Sequence, residues 1–189
     1  MRIIGGTARS RLIDAPKGMD TRPTQDKVRE SLFNILQGEI EGSTVLDLFA
    51  GSGALGLEAL SRGADSAVFV DVSRQAVKVI QDNVDRLGFG DKAQVIAGDW
   101  KGAVGAQAYY KRNVFDLVFL DPPYRMTNTG EMCSYMLERS IIASSALIVI
   151  EHAWDTPPKL VETFEVTDVR RYGDTGITFC RLYTKEVAD

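Results

Sequence analysis

The 189-residue chain predicts an α/β fold built on a mostly parallel sheet, and three observations point there. Short, nearly continuous runs of Val, Ile and Leu recur from residue 45 onward. Stretches of helical period separate the first ones, as a sheet covered by helices on both faces requires. Each run also ends in, at or beside a carboxylate, which places a row of acidic groups along one sheet edge.

The elements follow in order. Ile3-Ile4-Gly5-Gly6 and Arg11-Leu12-Ile13 read as two short strands around a Gly/Thr/Ser turn, a small hairpin. Val28, Leu32, Ile35 and Leu36 share one face of a helix that Pro23-Thr24 opens and Gly38 closes. The strands are then Val45-Leu46-Asp47-Leu48, Ala67-Val68-Phe69-Val70, Ala93-Gln94-Val95-Ile96, Leu117-Val118-Phe119-Leu120 and residues 146–150. Between the second and third, Val77, Ile80, Val84 and Leu87 keep a period near 3.6, closed by Gly88. Residues 164–169 and 176–182 alternate with no helix between them and predict a final antiparallel hairpin, which brings the sheet to seven strands.

Composition bounds the class. With 44% apolar and 25% charged residues the chain reads as a soluble domain large enough to need no disulfide or metal. The longest strongly apolar run falls far short of a membrane helix, so we expect a cytoplasmic protein with no membrane association. Cys133 and Cys180 stand alone and His152 is the single histidine, so no metal motif is expected. The net charge of −4 argues against general nucleic-acid affinity. Its distribution is uneven: residues 1–30 carry seven basic and four acidic side chains, and the remaining 159 carry 15 and 22. A basic N-terminal extension precedes an acidic body.

Asp47, Asp71, Asp99, Asp121 and Glu151 mark the five successive strand ends, spaced 24, 28, 22 and 30 residues apart. Any one of them could simply begin a loop or cap a helix. Together they suit a ligand rich in hydroxyl, amino or ammonium donors. Gly51, Gly53 and Gly56 form G-x-G-x-x-G in strand-turn-helix context, which fits NAD, FAD or S-adenosylmethionine. Asp71 is spaced to accept from a ribose hydroxyl pair. Asp47 precedes the glycines where a pyrophosphate would be repelled and a methionine ammonium attracted, which favours S-adenosylmethionine.

Asp121-Pro122-Pro123-Tyr124 closes the fourth strand. Two prolines fix an extended turn that holds the Asp121 carboxylate and the Pro122 carbonyl as paired acceptors, with an aromatic ring beside them. That set suits an exocyclic amino group on a flat base or amide: two N–H donors are held while the nitrogen faces a sulfonium methyl and Tyr124 stacks on the ring.

Residues 45–56 together with Asp121-Pro122-Pro123-Tyr124 resemble the amino-directed, S-adenosylmethionine-dependent methyltransferases with the class I, Rossmann-like fold. Arg2-Ile3-Ile4-Gly5-Gly6, Thr21-Arg22-Pro23-Thr24, Arg29-Glu30-Ser31-Leu32-Phe33-Asn34-Ile35-Leu36 and Tyr172-Gly173-Asp174-Thr175 are similar to the bacterial RsmD family. Those enzymes methylate the N2 amino group of one guanine in 16S ribosomal RNA. The resemblance implies that Asp47, Gly51 and Gly53 cradle the methionine part of the cofactor, Asp71 its ribose, and Asp99 with Trp100 its adenine. It assigns Asp121, Pro122 and Tyr124 to the target base. Arg9, Arg11, Arg22 and Arg29 are candidates for RNA phosphates. Phe33 and Phe49 are expected in the core, and both cysteines as buried bystanders.

The implied organisation is an RNA-facing hairpin-and-helix extension, residues 1–40, packed on a methyltransferase domain of residues 41–189. The implied partner is 16S ribosomal RNA or a small-subunit assembly particle, and the expected state is a monomer. Competing readings are methyl transfer to adenine N6 or a protein amide, nicotinamide-dependent oxidation, and a non-catalytic RNA-binding module on the same fold.

Overall fold

The computed structural model describes residues 1–18, 23–110, 113–123 and 125–183. The order is α1 (Pro23–Ile35), β1 (Thr44–Leu48), α2 (Ala54–Ser61), β2 (Ser66–Asp71), α3 (Arg74–Leu87), β3 (Ala93–Ala97), α4 (Trp100–Tyr110), β4 (Phe115–Leu120), α5 (Thr129–Glu138), β5 (Ile142–Ala153), β6 (Phe164–Tyr172) and β7 (Thr175–Leu182). Among the described residues the strands form one seven-stranded sheet in the order β3-β2-β1-β4-β5-β7-β6. The first five are parallel, and β7 runs antiparallel between β5 and β6. The predicted α/β fold with a closing antiparallel hairpin is the fold observed.

Period-two alternation divides the core between the two faces of the sheet. Val45, Leu117 and Phe119 pack with α2, α3 and the N-terminal residues, while Leu46, Val118 and Leu120 pack with α4 and α5. β1 and β4 are covered on both sides, which explains why they are apolar but for Thr44 and Asp47 in β1 and Asp116 in β4. β3 is half-buried from Ala93 to Ile96 and exposed at Ala97 because it is a sheet edge. β6 is the other edge, and its exposed Glu165, Arg170 and Arg171 guard it against pairing with another chain.

Two expectations shift in detail. The N-terminal hairpin shrinks to a single antiparallel bridge, Arg2 to Leu12, supported by Ile3 N–H to Arg11 O at 3.0 Å and Ser10 N–H to Ile3 O at 2.8 Å. Its backbone groups turn instead toward α2: Thr7 N–H reaches Ser61 O at 2.7 Å and Ala8 N–H reaches Ser61 Oγ at 2.9 Å. The approach is so close that a Cβ on Gly6, whose φ is +74°, would sit 1.7 Å from the Ser61 carbonyl oxygen. In α1 the buried stripe is Leu32, Phe33 and Leu36, whereas Ile35 is 39% exposed. Phe33 displaces it because its ring packs against Phe119 at 5.8 Å and beneath the Arg62 guanidinium at 5.2 Å.

Residues within 1–40, including Ile3, Ile13, Leu32 and Leu36, lie in the same apolar cluster as β1, β2 and β4. What fastens them is Glu58, fully buried on α2. Its carboxylate accepts from Ile4 N–H and Gly5 N–H, both at 2.8 Å, and from Arg62 Nε at 2.8 Å. Asn83 on α3 makes a second fastening: its amide exchanges two 2.9 Å bonds with the backbone of Asp14 and donates to Ser52 O at 3.1 Å.

Candidate active site

The carboxylate row is real in space. Parallel register aligns Leu48 with Val70 and Leu120, and Leu120 with Ile150, so Asp47, Asp121 and Glu151 gather at the carboxyl edge of three adjacent strands. They line a cleft of about 260 Å³ together with Phe49, Gly51, Ser52, Arg29, Met1 and Tyr172. The sheet therefore opens where α/β sheets bind ligands.

The glycine turn is shaped by backbone needs. Gly51 and Gly53 both have positive φ, 57° and 76°, and Gly53 N–H closes the turn onto Ala50 O at 2.6 Å. Gly56 allows α2 to approach the sheet, since a Cβ there would lie 2.3 Å from Phe69 Cε1. Its N–H donates to Asp47 Oδ2 at 2.9 Å, so the same close approach orients the buried carboxylate. Phe49 also takes a left-handed φ of 66°, unusual for an aromatic residue, and lines the cleft. Phe33 is fully buried in the core, while Phe49 is half-buried, packing against the core of one sheet face and lining the cleft as well.

Burial pushes the Asp47 carboxyl up to about 7, and the nearby Asp121 and Asp71 charges add to the shift against the Gly56 N–H bond. Burial also raises Asp121 to about 6. Glu151 is raised to about 8, by burial first and then by Asp121. Three acids near one opening resist sharing negative charge, so the cleft favours a cationic or multiply N–H-donating ligand that would relieve them.

Asp71 and Asp99 lie farther along the same edge, outside the cleft lining. Asp71 braces the loop, accepting from Gly51 N–H at 2.9 Å and Ser73 N–H at 2.8 Å. Asp99 is exposed and accepts from Gly102 N–H at 2.9 Å, capping the first turn of α4. Trp100 is half-buried and meets Tyr135 edge to face at 5.6 Å. Pro122 is buried beside Asp121. Tyr124 and Arg22 lie outside the described residues.

The three described arginines, Arg9, Arg11 and Arg29, do not form one basic face. Arg9 is exposed. Arg11 is exposed as well, but its guanidinium donates to the Arg86 and Leu87 carbonyls at the end of α3. Arg29 is corrected: only 6% exposed, it points inward and lines the cleft, where it cannot meet phosphates on the surface. It donates to Arg2 O at 2.5 Å and Asp26 Oδ1 at 3.1 Å, its third contact is the Met1 sulfur at 3.3 Å, and its Nε has no hydrogen-bond partner among the described residues. Burial lowers its pKa.

Glu58, Asn83 and Tyr172 escaped the residue-by-residue reading. Tyr172 lines the cleft and its hydroxyl meets Ser31 Oγ at 2.6 Å, joining the β6-β7 turn to α1. A charged residue inside the apolar stretch Ala54-Leu55-Gly56-Leu57-Glu58-Ala59-Leu60 was the available signal for Glu58, because such a group needs buried partners. Among the described residues no group of three His, Cys, Asp or Glu side chains could hold a metal, and no helix is long and apolar enough to cross a membrane. Cys133 and Cys180 are free thiols in the core, and their mutual hydrogen bond, then burial, push the Cys133 thiol up.

Residues 1–181 match the model of the family described as Conserved hypothetical protein 95. Ribosomal RNA small subunit methyltransferase D of Haemophilus influenzae is 34% identical over 184 residues, covering 97% of this chain and 93% of that protein. The protein of the same name from Escherichia coli is 38% identical over 151 residues, covering 80% and 74%. The solved structure of yhhF from Escherichia coli is 33% identical, with a TM-score of 0.85 over 98% of this chain and 99% of that one. On the extent of these matches, and with the glycine turn and the carboxylate cleft in register on one sheet edge, the chain belongs to the Conserved hypothetical protein 95 family, the RsmD family.

Proposed function

We propose that this chain is an S-adenosylmethionine-dependent ribosomal RNA methyltransferase that modifies the exocyclic N2 amino group of a guanine in 16S ribosomal RNA, working in the cytoplasm as a monomer. The observation that carries the reading is that the buried Asp47 carboxylate and Asp121, the first residue of the Asp121-Pro122 corner, line one cleft. The family members named above are ribosomal RNA small subunit methyltransferases, which supports the substrate class.

The residues fit the cofactor. Gly51 lines the cleft with no side chain to obstruct a ligand and Gly53 supplies the positive φ that shapes the turn, Asp47 is placed for an ammonium, and Arg29 lining the same cleft offers a counter-charge to a carboxylate. Asp71, Asp99 and Trp100 extend the edge toward a nucleoside. When bound there, S-adenosylmethionine supplies a methyl group activated by its sulfonium. Asp121 and Pro122 do the positioning. Neither Pro122 nor Pro123 has an N–H, so the segment offers acceptors to an amino group and no competing backbone donor.

With both amino hydrogens held, the nitrogen would face the cleft and take the methyl carbon as that carbon's bond to sulfur breaks, the sulfonium leaving as a neutral thioether. The proton it then sheds passes to the adjacent Asp121 carboxylate or to water. No thiol is required, which agrees with Cys133 and Cys180 lying in the core. Tyr124 is assigned to stacking on the base by its place in the sequence.

The test is incubation with methyl-labelled cofactor and small-subunit RNA or assembly particles, followed by nucleoside analysis. Label is expected in N2-methylguanosine, and Asp121→Ala should lower transfer by roughly 10²–10³. Label in another nucleoside would overturn the substrate, and full activity in Asp121→Ala would overturn the mechanism.

A further inference from the structure

Trp154 follows β5 by one residue and is 39% exposed. Its position is fixed by neighbours that border the cleft. Ala153 pairs with Thr175, and Trp154 N–H donates to Asp174 O at 2.8 Å. Thr175 and Tyr172, on either side of that turn, both line the cleft, as does Glu151 three residues earlier. On the other side, Ala153 and Thr156 border a shallow recess beside Pro122. Trp154 is thus held directly beside residues that border both the cleft holding Asp121 and the recess beside Pro122.

The indole already carries a cation on one side. The Arg171 guanidinium lies 4.8 Å from the ring centroid, and its Nε donates to Gly173 O at 2.9 Å, so the pair is held by the turn. Arg170 next to it is tied to Asp168 at 2.7 Å. Asp155 and Asp174 are adjacent in sequence to this pair and to its turn, which disfavours a phosphate and leaves the face of a base as the better match.

An enzyme that takes one base out of a folded RNA leaves its neighbours without their stacking partner, and an aromatic side chain replaces that contact. Resting on the RNA methyltransferase reading above, we infer that Trp154, backed by Arg171, is a stacking platform for a nucleotide flanking the target base.

The test compares wild type, Trp154→Ala and Trp154→Phe for binding to a small-subunit RNA fragment and to S-adenosylmethionine. Loss of one base–aromatic stack should weaken RNA binding of Trp154→Ala roughly 5- to 150-fold. Cofactor affinity should be unchanged and Trp154→Phe should recover most of the loss. RNA should quench the wild-type indole emission, and the quenching should vanish in Trp154→Phe. Unchanged RNA binding in Trp154→Ala, an equal loss of cofactor binding, or no quenching in wild type would each overturn the platform. Quenching without methyl transfer would overturn the proposed function and leave the platform standing.

Discussion

Replacing Glu58 by Gln changes one atom and should detach the N-terminal arm. In the native chain the carboxylate takes three donors at 2.8 Å, Ile4 N–H, Gly5 N–H and Arg62 Nε, and its Oε2 lies 4.0 Å from Arg29 Nε. A glutamine amide keeps one acceptor oxygen and turns an NH2 toward groups that are themselves donors. At least one N–H is left facing a donor, Arg62, 19% exposed, loses its carboxylate partner, and Arg29, 6% exposed, is left with Asp26 alone. Breaking a buried charged pair on one side costs about 3–5 kcal/mol. For a chain of this size that corresponds to a fall of roughly 6–20 °C in Tm. The assay is urea unfolding at pH 7 followed by circular dichroism, together with limited proteolysis of residues 1–18. The reasoning predicts earlier cleavage in the arm and a midpoint shift with unchanged slope. A loss below about 1 kcal/mol would refute it, because the carboxylate would then be replaceable by a neutral amide at no penalty.

Gly56→Ala places a Cβ 2.3 Å from Phe69 Cε1 and should cost about 1–3 kcal/mol, with partial recovery in Gly56→Ala/Phe69→Leu; thermal denaturation of the four-member cycle checks it. The raised carboxyls predict a pH dependence with a definite sign. The folded, ligand-free cleft holds protons on Asp47 and Glu151 up to about 7 and about 8, whereas the unfolded chain releases them near 3.8 and 4.5. Stability from these groups is thus full below about pH 4 and is lost as pH rises toward 8, so calorimetry should show Tm of the free protein falling across that window. Because a cationic ligand favours the ionised acids, S-adenosylmethionine affinity by titration calorimetry should rise between pH 6 and 8. Arg29→Gln should narrow the affinity gap between S-adenosylmethionine and its decarboxylated analogue, and an unchanged ratio would remove Arg29 from the ligand's carboxylate.

The strands were legible in the sequence because burial on both faces forces continuous apolar runs in β1, β2 and β4. The glycine turn and the Asp121-Pro122 corner were legible for a related reason: positive φ and missing N–H groups admit few residue types. Arg29 was misread because a one-dimensional charge count treats every arginine as solvated, and only the packing of α1 against α2 shows this one turned inward. Ile35 was misplaced because the face that packs is rotated toward Phe33, two residues earlier, which apolar spacing from Val28 does not reveal. Glu58 left only the signal of a charge in an apolar stretch and Asn83 none, because their backbone partners at residues 4, 5, 14 and 52 could have been supplied by any side-chain sequence.

The Asn83 amide holds Asp14 of the arm and Ser52 of the glycine turn at once. Two segments 38 residues apart in the chain thereby share a single latch. Opening either one exposes the same buried amide, so the two should exchange their backbone hydrogens as one cooperative unit rather than separately. A cofactor that settles the glycine turn would then slow exchange in an arm it never touches, and the arm's exchange rate becomes a remote gauge of whether the cleft is filled.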